Sequence, residues 1–278
     1  MRDRLLRDAF VILAIAFVAL RLLQVPPWAD SVDAFAYWTT RDGSLYSTET
    51  GRIGSYLYSP AFAQVLAPLT WLPLAVFVAV WTALNLAVYG LLAGSRLALV
   101  LLLFVPIPFE IVSGNVHLLY AAAIVVGFRW PATWALMLLT KVTPGIGLIW
   151  FLVRREWRPL AIAVGATALI AGVSYVLAPI DWATWIANLR RDATAPLETT
   201  GWYLPVPLLV RLPLAALLVA WGGLTDRRWT VPVAATLALP VVWLNSLAIL
   251  VALLPLRVTT PADVPAPARA RASSPVAP

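Results

Sequence analysis

VPPWADSVDAFAYWTTRDGSLYSTETGRIGSYLYSPAFAQ, residues 25–64, is a polar island between apolar runs. It follows an apolar segment at 9–24. It carries Asp30, Asp33, Asp42 and Glu49 before the chain turns apolar again near Tyr58-Ser59-Pro60. Ser31 to Thr40 can form a short helix with Asp30 or Ser31 as its N-cap, the position where a side-chain oxygen accepts an orphan backbone N–H. Asp33 and Tyr37 then lie one turn apart on one face. Residues 60–70 make a second short piece along an interface, with Trp71 as its anchor. A polar loop with helices of its own, directly after a first apolar span, places its carboxylates at the rim of a bilayer.

The rest of the chain supplies the bilayer-spanning material. Hydrophobic residues make up 62% of the 278 residues and charged residues 12%, with a mean hydropathy of +0.86. Soluble domains carry about twice that charge. The candidate spans are the apolar runs at 9–24, 71–93, 97–112, 115–127, 132–152, 159–179, 205–223 and 230–256, several of which approach or exceed the ~20 residues of a spanning helix. The strong alternation of a membrane barrel is absent from them. The expectation is an all-α polytopic integral membrane protein, with residues 1–256 as one membrane domain and 257–278, rich in Pro and Ala, as a disordered tail. No small-residue cleavage site follows the first run, which reads as a retained span. The net charge of +7 is spread over short loops, as membrane topology requires, and does not point to nucleic acid.

Arginines orient the spans. Arg2/Arg4/Arg7, Arg96, Arg129, Arg154/Arg155/Arg158 and Arg227/Arg228 are expected on the cytoplasmic side, and loops 25–58, 113–115 and 180–204 on the outer side. Arg129 and Arg154 share a side only if 132–152 is a hairpin broken near Lys141-Val142-Thr143-Pro144-Gly145. Proline and glycine permit such a break where protein surrounds the freed backbone. The run 230–256, with Pro240 and Asn245 inside it, is expected to break likewise. Arg190 and Arg191 stand on the outer side against the rule; they bind an anion there, or offset Asp181, Asp192 and Glu198.

Several residues could carry chemistry. Asp33 is a solvated or capping carboxylate, or a general base within hydrogen-bond reach of a hydroxyl that attacks a sugar carbon; Asp30 competes for that role. Lys141 is the one lysine in the chain and lies inside an apolar stretch. A charge there costs at least ~2.5–3.5 kcal/mol at a helix centre, so it either binds the phosphate of a lipid carrier or snorkels to an interface. Ser113-Gly114-Asn115-Val116-His117 reads as a tight turn, and Arg21 as a snorkelling anchor. Trp28, Trp38, Trp182, Trp185 and Trp202 read as an aromatic belt, or as a sugar-stacking surface. One histidine and no cysteine exclude a multi-histidine or thiolate metal site. With no phosphate-binding glycine loop either, no cofactor is expected.

An ordered set of short motifs runs through residues 10–160: Asp33-x-x-x-Tyr37, Gly43-Ser44-Leu45-Tyr46, Tyr58-x-Pro60-x-Phe62-Ala63, Trp81-x-x-x-Asn85, Gly114-Asn115, Lys141-x-Thr143-Pro144 and Arg154-Arg155-x-Trp157-Arg158. This order resembles glycosyltransferase family 87, the polyprenyl-phosphate-mannose-dependent α-mannosyltransferases of the GT-C superfamily. The resemblance implies a GT-C-like bundle of about eight to ten membrane segments, some of them short or re-entrant. It implies an inverting transfer of a hexose, mannose by the family, from a polyprenyl-phosphate donor to a lipid or cell-envelope glycan at the outer face of the plasma membrane. Asp33 takes the catalytic-base position. Lys141, with Arg190 or Arg191, would hold the donor phosphate, and Asn115, His117 and Asn245 would contact donor or acceptor. Asp30, Tyr37 and Tyr58 complete the expected substrate site. The family's late Ser-Pro-x-Ser-Trp-x-His-His motif falls on Leu239–Ser246, where Trp243 remains and Asn245-Ser246 replace the two histidines. Their loss favours a competing reading, a non-catalytic lipid carrier or a degenerate partner subunit.

Overall fold

A computed structural model describes residues 2–24, 31–192 and 202–257. Asp30, Trp28, Glu198 and the tail after Arg257 lie outside the described residues, as do the expectations placed on them. Among the described residues the chain is almost wholly helical: α1 (Arg2–Leu22), α2 (Val32–Trp38), α3 (Pro60–Thr70), α4 (Leu74–Leu97), α5 (Pro106–Ser113), α6 (His117–Gly127), α7 (Ala135–Lys141), α8 (Ile149–Val153), α9 (Trp157–Leu177), α10 (Pro179–Asp192), α11 (Leu208–Leu224), α12 (Thr230–Leu237) and α13 (Leu253–Arg257). Short 3₁₀ stretches join several of them, among them Thr143–Leu148 and Leu244–Ala252. This is an all-α polytopic membrane protein.

Among the described residues two helices are long and apolar enough to cross a membrane, Leu74–Gly94 within α4 and Trp157–Leu177, which is α9. A third candidate is the pair α5 and α6, bent by 107°. The run 97–112 is therefore not the single span its composition suggests. Gly94 takes φ +68 and ends the regular part of α4, a 3₁₀ turn follows at Val100–Leu103, and Pro106 starts a new helix. Proline has no N–H to continue the earlier ladder, so the chain restarts there. Gly114, at φ +73, turns α5 into α6.

The two expected breaks are present. α7 stops at Lys141, and Thr143–Leu148 leads into α8. The stretch folds back on itself, so that Trp134 at its start meets Phe151 near its end, ring centroids 6.4 Å apart. After α12 the chain leaves the helix for 238–243 before the 3₁₀ stretch at Leu244. Arg211 of α11, almost fully buried, holds this excursion by donating to the carbonyls of Val206, Leu237, Leu239 and Pro240. A guanidinium suits the task because its five donors form a fixed fork and need no titratable partner.

The hairpin sets the polarity of the bundle. At one end Phe128, just past α6, packs on Trp150 at 5.4 Å. The Arg228 guanidinium lies 5.1 Å from the Phe128 ring, and that of Arg154 lies 5.3 Å from the Trp150 ring. Arg154 also donates to the Gly223 carbonyl at 3.1 Å. Residues following α6, α8 and α11 thus share one basic end, as the arginine pattern predicts. α6 runs from that end to His117 at the other. α1 packs along α4 through Phe10 and Gly90, where a Cβ would come within 2.8 Å of the phenyl ring.

Candidate active site

The end opposite the arginines is closed by α2. Ser31 precedes its first turn but makes no side-chain cap. Its hydroxyl donates to the Val112 carbonyl at 2.5 Å and accepts from Arg21. Arg21 is fully buried and also donates to the Val112 carbonyl at 3.2 Å. The capping role read for Ser31 and the snorkelling role read for Arg21 are both corrected: the pair bolts the end of α1 and the start of α2 to the end of α5. A guanidinium can be buried there because two oxygen acceptors meet its Nη2. Gly114 completes the joint. Its carbonyl accepts from Trp81 Nε1 at 2.6 Å, and a Cβ on it would sit 2.7 Å from that of Ala34.

α2 presents Asp33 and Tyr37 as their spacing requires. Tyr37 is fully buried among Tyr58, Phe62 and Trp81, its ring 5.4, 5.6 and 5.3 Å from theirs. Its hydroxyl meets that of Tyr58 at 3.1 Å, and Tyr58 reaches Asn115 Oδ1 at 3.5 Å. Burial pushes both phenols up, so they act as neutral hydrogen-bonding groups. Asp33 is half-buried and hydrogen-bonded by the Asn115 side chain. Burial raises its carboxyl above the usual aspartate value; the Lys141 charge is the largest influence pulling it back, and Glu110 pushes it up further.

Below Asp33 the bent α5–α6 pair builds a chain of polar groups. Glu110 and His117 are fully buried. Glu110 Oε1 accepts the His117 backbone N–H at 2.6 Å. Its Oε2 faces His117 Nδ1 at 2.9 Å and accepts from Asn245 Nδ2 at 3.0 Å. The other imidazole nitrogen, Nε2, faces Lys141 Nζ at 3.1 Å and Ser246 Oγ at 3.4 Å. Lys141 stands at the helix break, half-buried, 5.8 Å from the centre of the Tyr58 ring. Asp33, Tyr37, Tyr58, Asn115, His117, Lys141 and Asn245 therefore form one connected site. Asn245 and Ser246, which the resemblance sets against the two late histidines, both bond into it. Beside it, an apolar cleft of about 460 Å³ opens between α3, α6, α7 and α9, with Phe62, Leu119, Leu136, Thr140 and Ile170 in its lining.

Arg190 and Arg191 lie elsewhere. They are exposed in the last turn of α10, and Arg191 reaches Thr50 at 3.4 Å. The belt reading of Trp182 and Trp185 is corrected. Both are buried, with Trp182 Nε1 donating to Ser174 Oγ at 2.9 Å and Trp185 Nε1 to the Leu57 carbonyl at 3.2 Å; they seat α10 on α9 and on the loop before α3. The residue that sequence reasoning missed is Glu110. The available signal was a lone carboxylate in FVPIPFEIV, residues 104–112, since an ionisable group in an apolar run is a functional candidate by default. Among the described residues no cluster of His, Asp and Glu could hold a metal ion.

A basic end, broken helices and a buried polar cluster beneath an amphipathic loop helix define a membrane protein with its chemistry at one end of the bundle. The model of glycosyltransferase family 87 matches residues 56–270. The chain belongs to that family and is a membrane glycosyltransferase, acting on a sugar donor and an acceptor. The match takes in all of the site except α2, so Asp33 and Tyr37 precede it. No curated protein and no solved structure matches the chain.

Proposed function

We propose that this protein transfers a hexose, mannose in the first instance, from a polyprenyl-phosphate donor to a lipid or cell-envelope glycan acceptor. It does so as a GT-C-type, multi-pass enzyme at the outer face of the plasma membrane. The observation that carries the reading is a half-buried carboxylate, Asp33 on the loop helix, hydrogen-bonded by Asn115 and under the charge of Lys141, an ammonium at a helix break. In an inverting transfer the acceptor O–H attacks the anomeric carbon as the bond from that carbon to the phosphate oxygen breaks. Asp33 takes the acceptor proton, and polyprenyl phosphate leaves. Lys141 offsets the charge on that phosphate in a medium where an ammonium acts strongly. Asn115 holds Asp33 in place. The apolar cleft, which Thr140, the residue before Lys141, helps to line, suits the first units of a prenyl chain and is of the size of small-molecule sites.

The test is transfer of radiolabelled sugar from polyprenyl-phosphate donors in membranes. Asp33→Asn is expected to lower turnover by about 10²–10⁴-fold, the usual loss with a general base, while protein yield and donor binding persist. Wild-type protein inactive with every polyprenyl-phosphate sugar and a broad acceptor panel would point instead to a carrier or partner subunit, the reading that the replaced histidines favour.

A further inference from the structure

Glu110 takes no part in the reaction above, yet the cluster is organised around it. Both carboxylate oxygens accept: the His117 backbone N–H donates to one and Asn245 Nδ2 to the other, which also faces His117 Nδ1. With Glu110 ionised, its oxygens can only accept, and Nδ1 then carries the imidazole proton. Nε2 is then left with a lone pair, and the groups facing it are Lys141 Nζ at 3.1 Å and Ser246 Oγ at 3.4 Å. An ammonium can only donate. With Nδ1–H toward Glu110 and Nε2 accepting from Lys141, every contact in the chain pairs a donor with an acceptor while Lys141 keeps its charge.

We infer that Glu110 is a positioning residue: through His117, locked as the Nδ1–H tautomer, it holds the Lys141 ammonium where the donor phosphate is to bind. The inference rests on the phosphate role of Lys141 proposed above. Lysine is a flexible point charge, and one at a helix break is free to snorkel away from the site. The Nε2 lone pair removes that freedom before the donor arrives, and the Glu110 charge, one imidazole away, balances the ammonium in an apolar interior. Asn245 steadies Glu110 from the 3₁₀ stretch after α12, which accounts for a polar residue buried at that point.

The chain holds one histidine, so protein labelled with ¹⁵N-histidine gives a single pair of ring-nitrogen signals. In wild type Nδ1 is expected to be protonated and Nε2 bare. Glu110→Gln turns a donor toward Nδ1 and is expected to shift the proton to Nε2. An Nε2–H tautomer or an imidazolium in wild type overturns the inference. In membranes, Glu110→Gln should raise the donor KM about tenfold, the scale seen for partners behind metal-ligating histidines, with kcat near wild type; Glu110→Asp should recover part of the loss. The double variant Glu110→Gln/Lys141→Met should be no worse than Lys141→Met alone, because the two act through one group. Additive losses would mark Glu110 as merely structural and overturn the inference. A wild type with no transfer from any polyprenyl phosphate would remove the phosphate role of Lys141, and the inference with it. A wrong tautomer in an active enzyme removes the inference alone.

Discussion

At the scale of single residues, the proposed mechanism depends on the charge of Asp33. A general base must be ionised, and burial raises the Asp33 carboxyl while Lys141 lowers it. Activity should therefore fall on acidification at a pH above the ordinary carboxylate range, as Asp33 takes up its proton. Removing the Lys141 charge removes the largest lowering influence. Lys141→Met should thus move the acid limb of kcat/KM to still higher pH, besides raising the donor KM. A limb that stays in place or moves to lower pH would show that Lys141 does not act on Asp33. The sequence made these two residues legible for different reasons: Asp33 by its spacing to Tyr37 at the rim of the first span, Lys141 by being a charge in an apolar run. Glu110 was hidden by geometry. Seven positions separate it from His117, which on an unbroken helix would place them about 10 Å apart along the axis. Only the turn at Gly114 brings them into contact, and a one-dimensional pattern gives no measure of that bend.

At the scale of elements, broken helices form the site and intact ones support it. The breaks at Lys141–Gly145 and around Pro240 were readable because proline and glycine signal them directly. The contacts that hold the broken ends were not, since Arg21 and Arg211 look like surface arginines until their carbonyl partners are known. Gly114 is the most exacting joint. A Cβ there would collide with Ala34, and its φ of +73 is one that side chains rarely adopt. Gly114→Ala should cost about 1–3 kcal/mol, as overpacking does, and should push α2 outward. The expected result is a lower midpoint of thermal unfolding, with a fall in turnover out of proportion to it, because Asp33 rides on α2. An alanine variant of wild-type stability and turnover would show that the joint is looser than its contacts imply.

At the scale of the whole molecule, the arginine pattern read correctly that the ends following α6, α8 and α11 meet, because charge and hydropathy are properties of the sequence itself. It overstated continuous spans, since 97–112 has the composition of a span but follows the break at Gly94 and holds Pro106 and Pro108. The chain has no cysteine, so single cysteines can report sidedness cleanly. Cysteines at positions 129 and 155 are expected to react with an impermeant reagent from one side of the membrane, and one at position 44 from the other. Labelling of positions 44 and 155 from the same side would refute the arrangement. The helix that joins the basic end to the site also sets a depth. α6 has 11 residues and rises only about 16 Å, against roughly 30 Å for the hydrocarbon core of a bilayer. With the basic end at one interface, the reacting sugar would sit near half depth, in a well sunk from the opposite surface. An acceptor anchored in that leaflet can lower its hydroxyl into such a well. A freely dissolved sugar would have to leave the water to reach it.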